Sequence, residues 1–197
     1  MTDQSEITPL GPMFDRIAAD GILALEHLHL PAGAKVLDVG TGAGYFAAFL
    51  ANQGFDVLTG EPETDMTHYA GKDWQDNAQK LGVAERIHFQ SFDAANMPFA
   101  DAAFDAVFFF GVLHHVDEAS RHDVFREALR VVRAGGSVTY FEPRPEMLEH
   151  VRLTDPEHPD PANPADYAGA VPVDQRRIQG AMMDIYLYQP AAAASPA

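Results

Sequence analysis

Short apolar runs alternate with stretches of helical spacing along most of the chain. K-V-L-D-V (35–39) reads as a strand, and Y-F-A-A-F-L-A-N-Q-G (45–54) as a helix stopped by a glycine. F-D-V-L-T-G (55–60) predicts a second strand, followed by a helix somewhere within 63–81 that ends at Leu81-Gly82. R-I-H-F-Q-S-F (86–92) is a third strand, and F-D-A-V-F-F-F (104–110) a fourth, apolar enough to be buried on both faces. Residues 118–133 place Val124, Phe125, Leu129 and Val132 on one side of a helix, and G-S-V-T-Y-F-E (136–142) makes a fifth strand. Ahead of these, residues 13–30 form one amphipathic helix, or two broken at Gly21, stopped by Pro31.

Strands separated by single helices require crossover connections, which put the strands parallel and the helices on both faces. The pattern therefore predicts an α/β fold with a doubly wound, mostly parallel, Rossmann-like sheet. Beyond Pro143 the periodicity fades. Residues 153–172 hold five prolines and suggest an irregular lid, 174–183 suggest a helix, and M-D-I-Y-L-Y-Q (183–189) has strand composition suited to a sheet edge. The expected organisation is a single domain over 1–189: a helical cap (1–30), a ligand-binding core (35–142), and a lid with a last strand (143–189). A low-complexity tail (190–197) is expected to be disordered.

Composition narrows the partners. The 197 residues suffice for one sizeable core, and no apolar run approaches the roughly 20 residues of a membrane span. Twenty-nine acids against thirteen Lys and Arg give a net charge of −16, which repels nucleic-acid backbones and anionic lipid surfaces. Nucleic-acid and membrane partners are not expected. Cysteine is absent, which removes disulfides and thiolate chemistry and fits a cytoplasmic protein; the acidic, polar start is unlike a signal peptide.

The chemistry starts at V-L-D-V-G-T-G-A-G-Y-F (36–46), where Gly40, Gly42 and Gly44 follow the first strand. In such sheets a glycine turn at the carboxyl end of a strand faces ligand. A dinucleotide fingerprint needs its third glycine where Tyr45 stands, and Asp38 at the mouth of the strand opposes a pyrophosphate. Both features disfavour an NAD-dependent oxidoreductase. S-adenosylmethionine has a sulfonium and an ammonium but no phosphate, so a nearby carboxylate helps rather than hinders. Glu61, 23 residues after Asp38, suits a ribose diol. Asp93, past the third strand, can accept from an adenine amino group unless it only closes a turn. Ala94 offers a backbone N–H to the ring, and Met66 can pack on its face.

V-L-D-V-G-T-G-A-G, S-F-D-A-A-N-M-P-F-A-D-A-A-F-D-A-V-F-F-F-G-V-L-H-H-V and A-L-R-V-V-R-A-G-G-S-V-T-Y-F-E-P, in that order, resemble class I S-adenosylmethionine-dependent methyltransferases over about 35–142. Within these, the chain is similar to the small-molecule branch (methyltransferase type 11) that includes the quinone-biosynthesis C-methyltransferases. The resemblance implies that Asp38, Gly40 and Gly42 hold the methionine portion, Glu61 the ribose and Asp93 the adenine. It also implies that Phe110 contacts the methionine end through its backbone. Two features depart from the family: Ala134 stands where a proline is usual, and the last two strands are not evident after 143.

Methyl transfer is an in-line displacement that needs positioning, exclusion of water and, for a protonated nucleophile, a base. His114 and His115 are the candidate bases, with packing or capping of the next helix as the plainer role; Tyr140 and Glu142 are further candidates. F-D-R-I-A (14–18) is expected to cover the site. His-His-Val-Asp-Glu (114–118) contains ligand-type residues without a recognised spacing, so no metal is expected. The expectation is a methyltransferase for a small-molecule acceptor, monomeric or homodimeric, with a non-catalytic binder of the same cofactor as the alternative.

Overall fold

The computed structural model describes residues 9–65, 67–70, 72–169 and 173–190. Its elements are α1 (Pro12–Leu25), β1 (Lys35–Val39), α2 (Tyr45–Asn52), β2 (Asp56–Gly60), α3 (Trp74–Lys80), β3 (Ile87–Phe89) and β4 (Phe104–Phe110). These are followed by α4 (Arg121–Val131), β5 (Val132–Pro143), α5 (Pro145–Arg152), β6 (Val173–Gln179) and β7 (Met183–Pro190). The strands form one sheet in the order β3-β2-β1-β4-β5-β7-β6. Strands β1 to β5 pair in parallel; β7 runs antiparallel to both β5 and β6. The strand order reverses between β1 and β4, and a crevice opens beyond the carboxyl ends at such a reversal.

The period of two along each strand divides the core. Val36, Ala106, Phe108 and Phe141 join one apolar cluster with Phe14 and Ile17 of α1 and Phe46, Phe49 and Leu50 of α2. Leu37, Val39, Val107, Phe109, Val138 and Tyr140 join the other, closed by Val124, Phe125 and Ala128 of α4. Helices thus cover both faces, and β4 is buried on both sides as its composition requires.

Helix α1 runs unbroken through Gly21, because a side chain there would enter the Phe49 ring. Glycine at this position sets the closeness of α1 to α2 rather than ending the helix. One residue earlier, Asp20 is 1% exposed and its carboxyl accepts from the backbone N–H groups of Ala181, Met182 and Met183. It thereby clamps α1 to the turn between β6 and β7.

The C-terminal third departs from expectation. Residues 145–152 form a helix, with Pro145 in its first turn, where no donor is lost. The helix expected over 174–183 is instead β6, an edge strand with mostly exposed side chains. Its row of polar residues carries no alternation to mark it, and its backbone is satisfied by pairing with β7. Strand β7 lies inside the sheet, not at its edge, and the two last strands are therefore present. Pro190, expected in the tail, is the last residue of β7; 191–197 lie outside the described residues. Strand β3 is shorter than expected, three residues ending at Phe89.

Candidate functional site

A cleft of about 670 Å³ lies over the carboxyl ends of β1 and β4. Of the positions singled out from sequence, Gly40, Gly42, Glu61, Asp93, Ala94, Phe110, His114 and His115 line it. Ile17 of α1 contributes to its wall, as expected for a covering helix. Asp38 and Gly44 do not line the cleft, and Met66 lies outside the described residues.

The glycine turn is built by three left-handed residues: Gly40 (φ 86°), Gly42 (φ 47°) and Gly44 (φ 71°). A Cβ on Gly40 would stand 2.5 Å from Val112 Cγ2, and one on Gly44 2.6 Å from the Cβ of Trp74. Gly44 therefore serves the entry into α2 and its packing on α3, not ligand contact. Gly42 donates its N–H to Glu61 Oε2 at 2.9 Å, so the acid after β2 is already aimed at the loop.

Asp38 sits under the turn, 1% exposed. Thr59 Oγ1 donates to its Oδ2 at 2.8 Å. The Thr41 hydroxyl, 2.9 Å from that of Thr59, must then donate to it, since the Thr59 proton is already committed. Asp38 thus supports the loop through a two-hydroxyl relay. Burial pushes its carboxyl up to about 7, the Thr59 bond works against this, and the Glu61 charge adds to it. Its Oδ1 is buried with no protein hydrogen-bond partner.

Across the cleft, Asp93 closes a tight turn by accepting from Ala95 N at 2.8 Å, while remaining exposed along the wall. The turn-closing role suggested by its sequence position is thus filled, and its side chain stands at the cleft wall. Phe110 ends β4 with its ring stacked on Phe46 at a 4.7 Å centroid distance.

Because β4 and β5 are parallel neighbours, the single turn of 3-10 helix after β4 (Leu113–His115) lies over the end of β5. This brings His114 to Glu142: Nδ1 lies 2.8 Å from Oε2, with both side chains 2% exposed. Glu142 Oε2 also accepts from Ala162 N at 2.9 Å, tying the proline-rich segment to the site. Glu142 is therefore a positioning residue for His114. Tyr140, the other further candidate, is buried against Phe109 and Phe125 and does not line the cleft.

The sequence reading missed His158, Asp155 and Tyr69. Arg152, on the last turn of α5, holds the His158 carbonyl with two N–H groups, at 3.0 and 2.7 Å. His158 Nδ1 lies 3.1 Å from Asp155 Oδ2 and 3.0 Å from the Tyr69 hydroxyl, which donates to the same Asp155 oxygen at 2.7 Å. The ring centroids of His114, His115 and His158 are 4.3, 5.1 and 4.9 Å apart pairwise. His115 is open to the cleft, yet the protein around its ring, with His114 and His158 beside it, pushes its imidazole down to about 4. His158 is also lowered, mainly by burial. Both shifts favour the neutral ring, whose nitrogen lone pair is open to a proton, though with weakened basicity, or to a cation. Only residue type could have flagged His158, since 44 residues and three elements (α4, β5 and α5) separate it from His114.

Comparison with known proteins agrees with this geometry. The sequence profile of the methyltransferase domain family matches residues 37–140. The chain is 34% identical over 126 residues to a 27-O-demethylrifamycin SV methyltransferase of Amycolatopsis mediterranei, covering 62% of this chain and 44% of that protein. It is likewise 34% identical over 119 residues to a ubiquinone/menaquinone biosynthesis C-methyltransferase of Desulfotalea psychrophila, covering 58% of this chain and 44% of that protein. The chain spans less than half the length of these relatives. Its fold matches the crystal structure of the YcgJ protein from Bacillus subtilis with a TM-score of 0.61 at 24% identity, covering 80% of this chain and 69% of that one. Among the described residues, no helix is long and apolar enough to cross a membrane.

Proposed function

The chain belongs to the methyltransferase domain family, and on that premise we propose that it transfers a methyl group from S-adenosylmethionine to a small-molecule acceptor. The observation that carries the reading is the meeting of Gly40, Gly42, Glu61, Asp93, Ala94 and Phe110 in one cleft that ends at a histidine cluster. Asp93 and Ala94 take the adenine and Glu61 the ribose diol. The Gly40–Gly42 backbone and the end of β4 take the methionine portion. Asp38, below the loop, supplies negative potential towards the ammonium without touching it. The acceptor enters from the side of His114 and His115, and its nucleophilic atom attacks the methyl carbon as the carbon–sulfur bond breaks, its electron pair staying on sulfur. His115, held neutral and open to the cleft, takes the acceptor's proton where there is one to lose. A small acceptor fits the acidic surface and the acceptors named for the relatives above.

Calorimetry with S-adenosylmethionine and with NAD tests the cofactor: heat with the first and none with the second is expected, and silence with S-adenosylmethionine sinks the reading. Glu61→Ala is expected to weaken binding at least tenfold, about 1.4 kcal/mol, through loss of charge-assisted hydrogen bonds to the ribose. Unchanged affinity would remove Glu61 from the site. Transfer itself is read with a labelled methyl group and a metabolite extract; binding without any labelled product would favour a non-catalytic binder.

A further inference from the structure

We propose that His114, His115 and His158 form a binding site for one divalent transition-metal ion of the zinc type, inside the same cleft. One ring nitrogen from each lies within 4.8 Å of those of the other two. Tetrahedral zinc at about 2.1 Å from each ligand holds them about 3.4 Å apart, so side-chain rotations worth little more than an ångström close the site. In two of the three rings a carboxylate engages one nitrogen. Glu142 engages Nδ1 of His114 at 2.8 Å, and Asp155 engages Nδ1 of His158 at 3.1 Å. Each carboxylate therefore leaves Nε2 as the available donor, the arrangement that fixes tautomer and raises basicity in metal-ligating histidines.

The decisive atom is His114 Nε2, which is buried and has no protein hydrogen-bond partner. An orphaned buried nitrogen costs stability on the order of 1–3 kcal/mol, and a cation answers that cost where no protein donor or acceptor does. Three neutral imidazoles leave the ion with its full positive charge and an open fourth position towards the cleft. The three histidines come from two separate loops, and their assembly is not required by packing of the core.

The open position suits an acceptor that carries an oxygen donor, a hydroxyl or a carboxylate. With the ion bound, His115 is a ligand and no longer a base, and a coordinated hydroxyl would lose its proton to solvent because the cation lowers its pKa. This second part rests on the proposed methyl transfer; the metal site does not.

The test uses tag-free full chain, stripped with a chelator and titrated at neutral pH with Co²⁺ followed by absorption and with Zn²⁺ followed by calorimetry, both without S-adenosylmethionine. One equivalent should bind, with the visible bands of tetrahedral Co²⁺. His115→Ala, at an exposed position, and His158→Ala should each weaken binding at least a hundredfold, whereas His29→Ala, remote from the cluster, should leave it unchanged. No saturable binding by the stripped protein, or wild-type affinity in the first two variants, overturns the site. Binding of S-adenosylmethionine by the metal-free chain is measured separately. Cofactor binding without metal binding overturns only this inference, and the converse overturns only the cofactor reading.

Discussion

Asp38→Asn is expected to make the protein more stable above pH 7 and to remove a fall in stability that the wild type shows between about pH 4 and 7. The sign follows from proton counts. The native carboxyl titrates near 7 and the unfolded one near 3.8, so between these values the native state holds a proton that the unfolded state has lost. Stability then falls as pH rises through that window and is level beyond it. From 3.8 to about 7, at about 1.4 kcal/mol per pH unit, the loss is on the order of 4 kcal/mol. Asparagine keeps an acceptor for Thr59 and carries no charge to bury. Urea unfolding of both proteins at pH 5 and pH 8 measures the difference, and parallel pH profiles would refute it. The same variant should bind S-adenosylmethionine about tenfold more weakly at pH 8, because the negative charge beneath the loop is gone. Holding an unfavourable carboxylate in place is a stability cost, and on the function proposed above it serves to attract the ligand's ammonium.

Asp20→Ala is the second large effect, and it acts through the fold. The Asp20 carboxyl accepts from three backbone N–H groups at the turn between β6 and β7. Alanine leaves those donors with no partner, two of them buried and the third, at Ala181, nearer to solvent. The cost is about 1–3 kcal/mol for each buried orphan less what the turn recovers by shifting. A loss of roughly 3–5 kcal/mol is expected on this basis. Asp20→Asn, which keeps one acceptor oxygen, should lose less. Thermal and chemical unfolding of the two variants give the comparison, and a loss below about 1 kcal/mol for alanine would show that the clamp is not needed. Helix α1 also carries Ile17 into the cleft wall, so cofactor affinity should drop alongside stability.

The parts of the fold legible in the sequence were those with a local period. Residues 35–39 and 104–110 match β1 and β4 residue for residue, since apolar runs bounded by turn residues leave the chain little choice. The glycine turn was legible because left-handed backbone needs glycine at fixed positions. The helix expected over 174–183 failed for the converse reason: β6 has no periodic signal and exists because β7 pairs with it. Gly21 misled similarly, its missing side chain serving the approach of α1 to α2 rather than a break.

At the site the division is the same. Order and spacing along the chain determined the sheet, the loop over its end, and the acids at 61 and 93 that reach the cleft, because Glu61 directly follows the end of β2 and Asp93 comes four residues after that of β3. Tertiary structure alone decided that Asp38 lies beneath the loop rather than in the cleft, that Glu142 orients His114, and that His158 arrives beside them. Burial and pairing across 44 residues depend on how elements stack, and stacking leaves no mark in the local pattern of either partner.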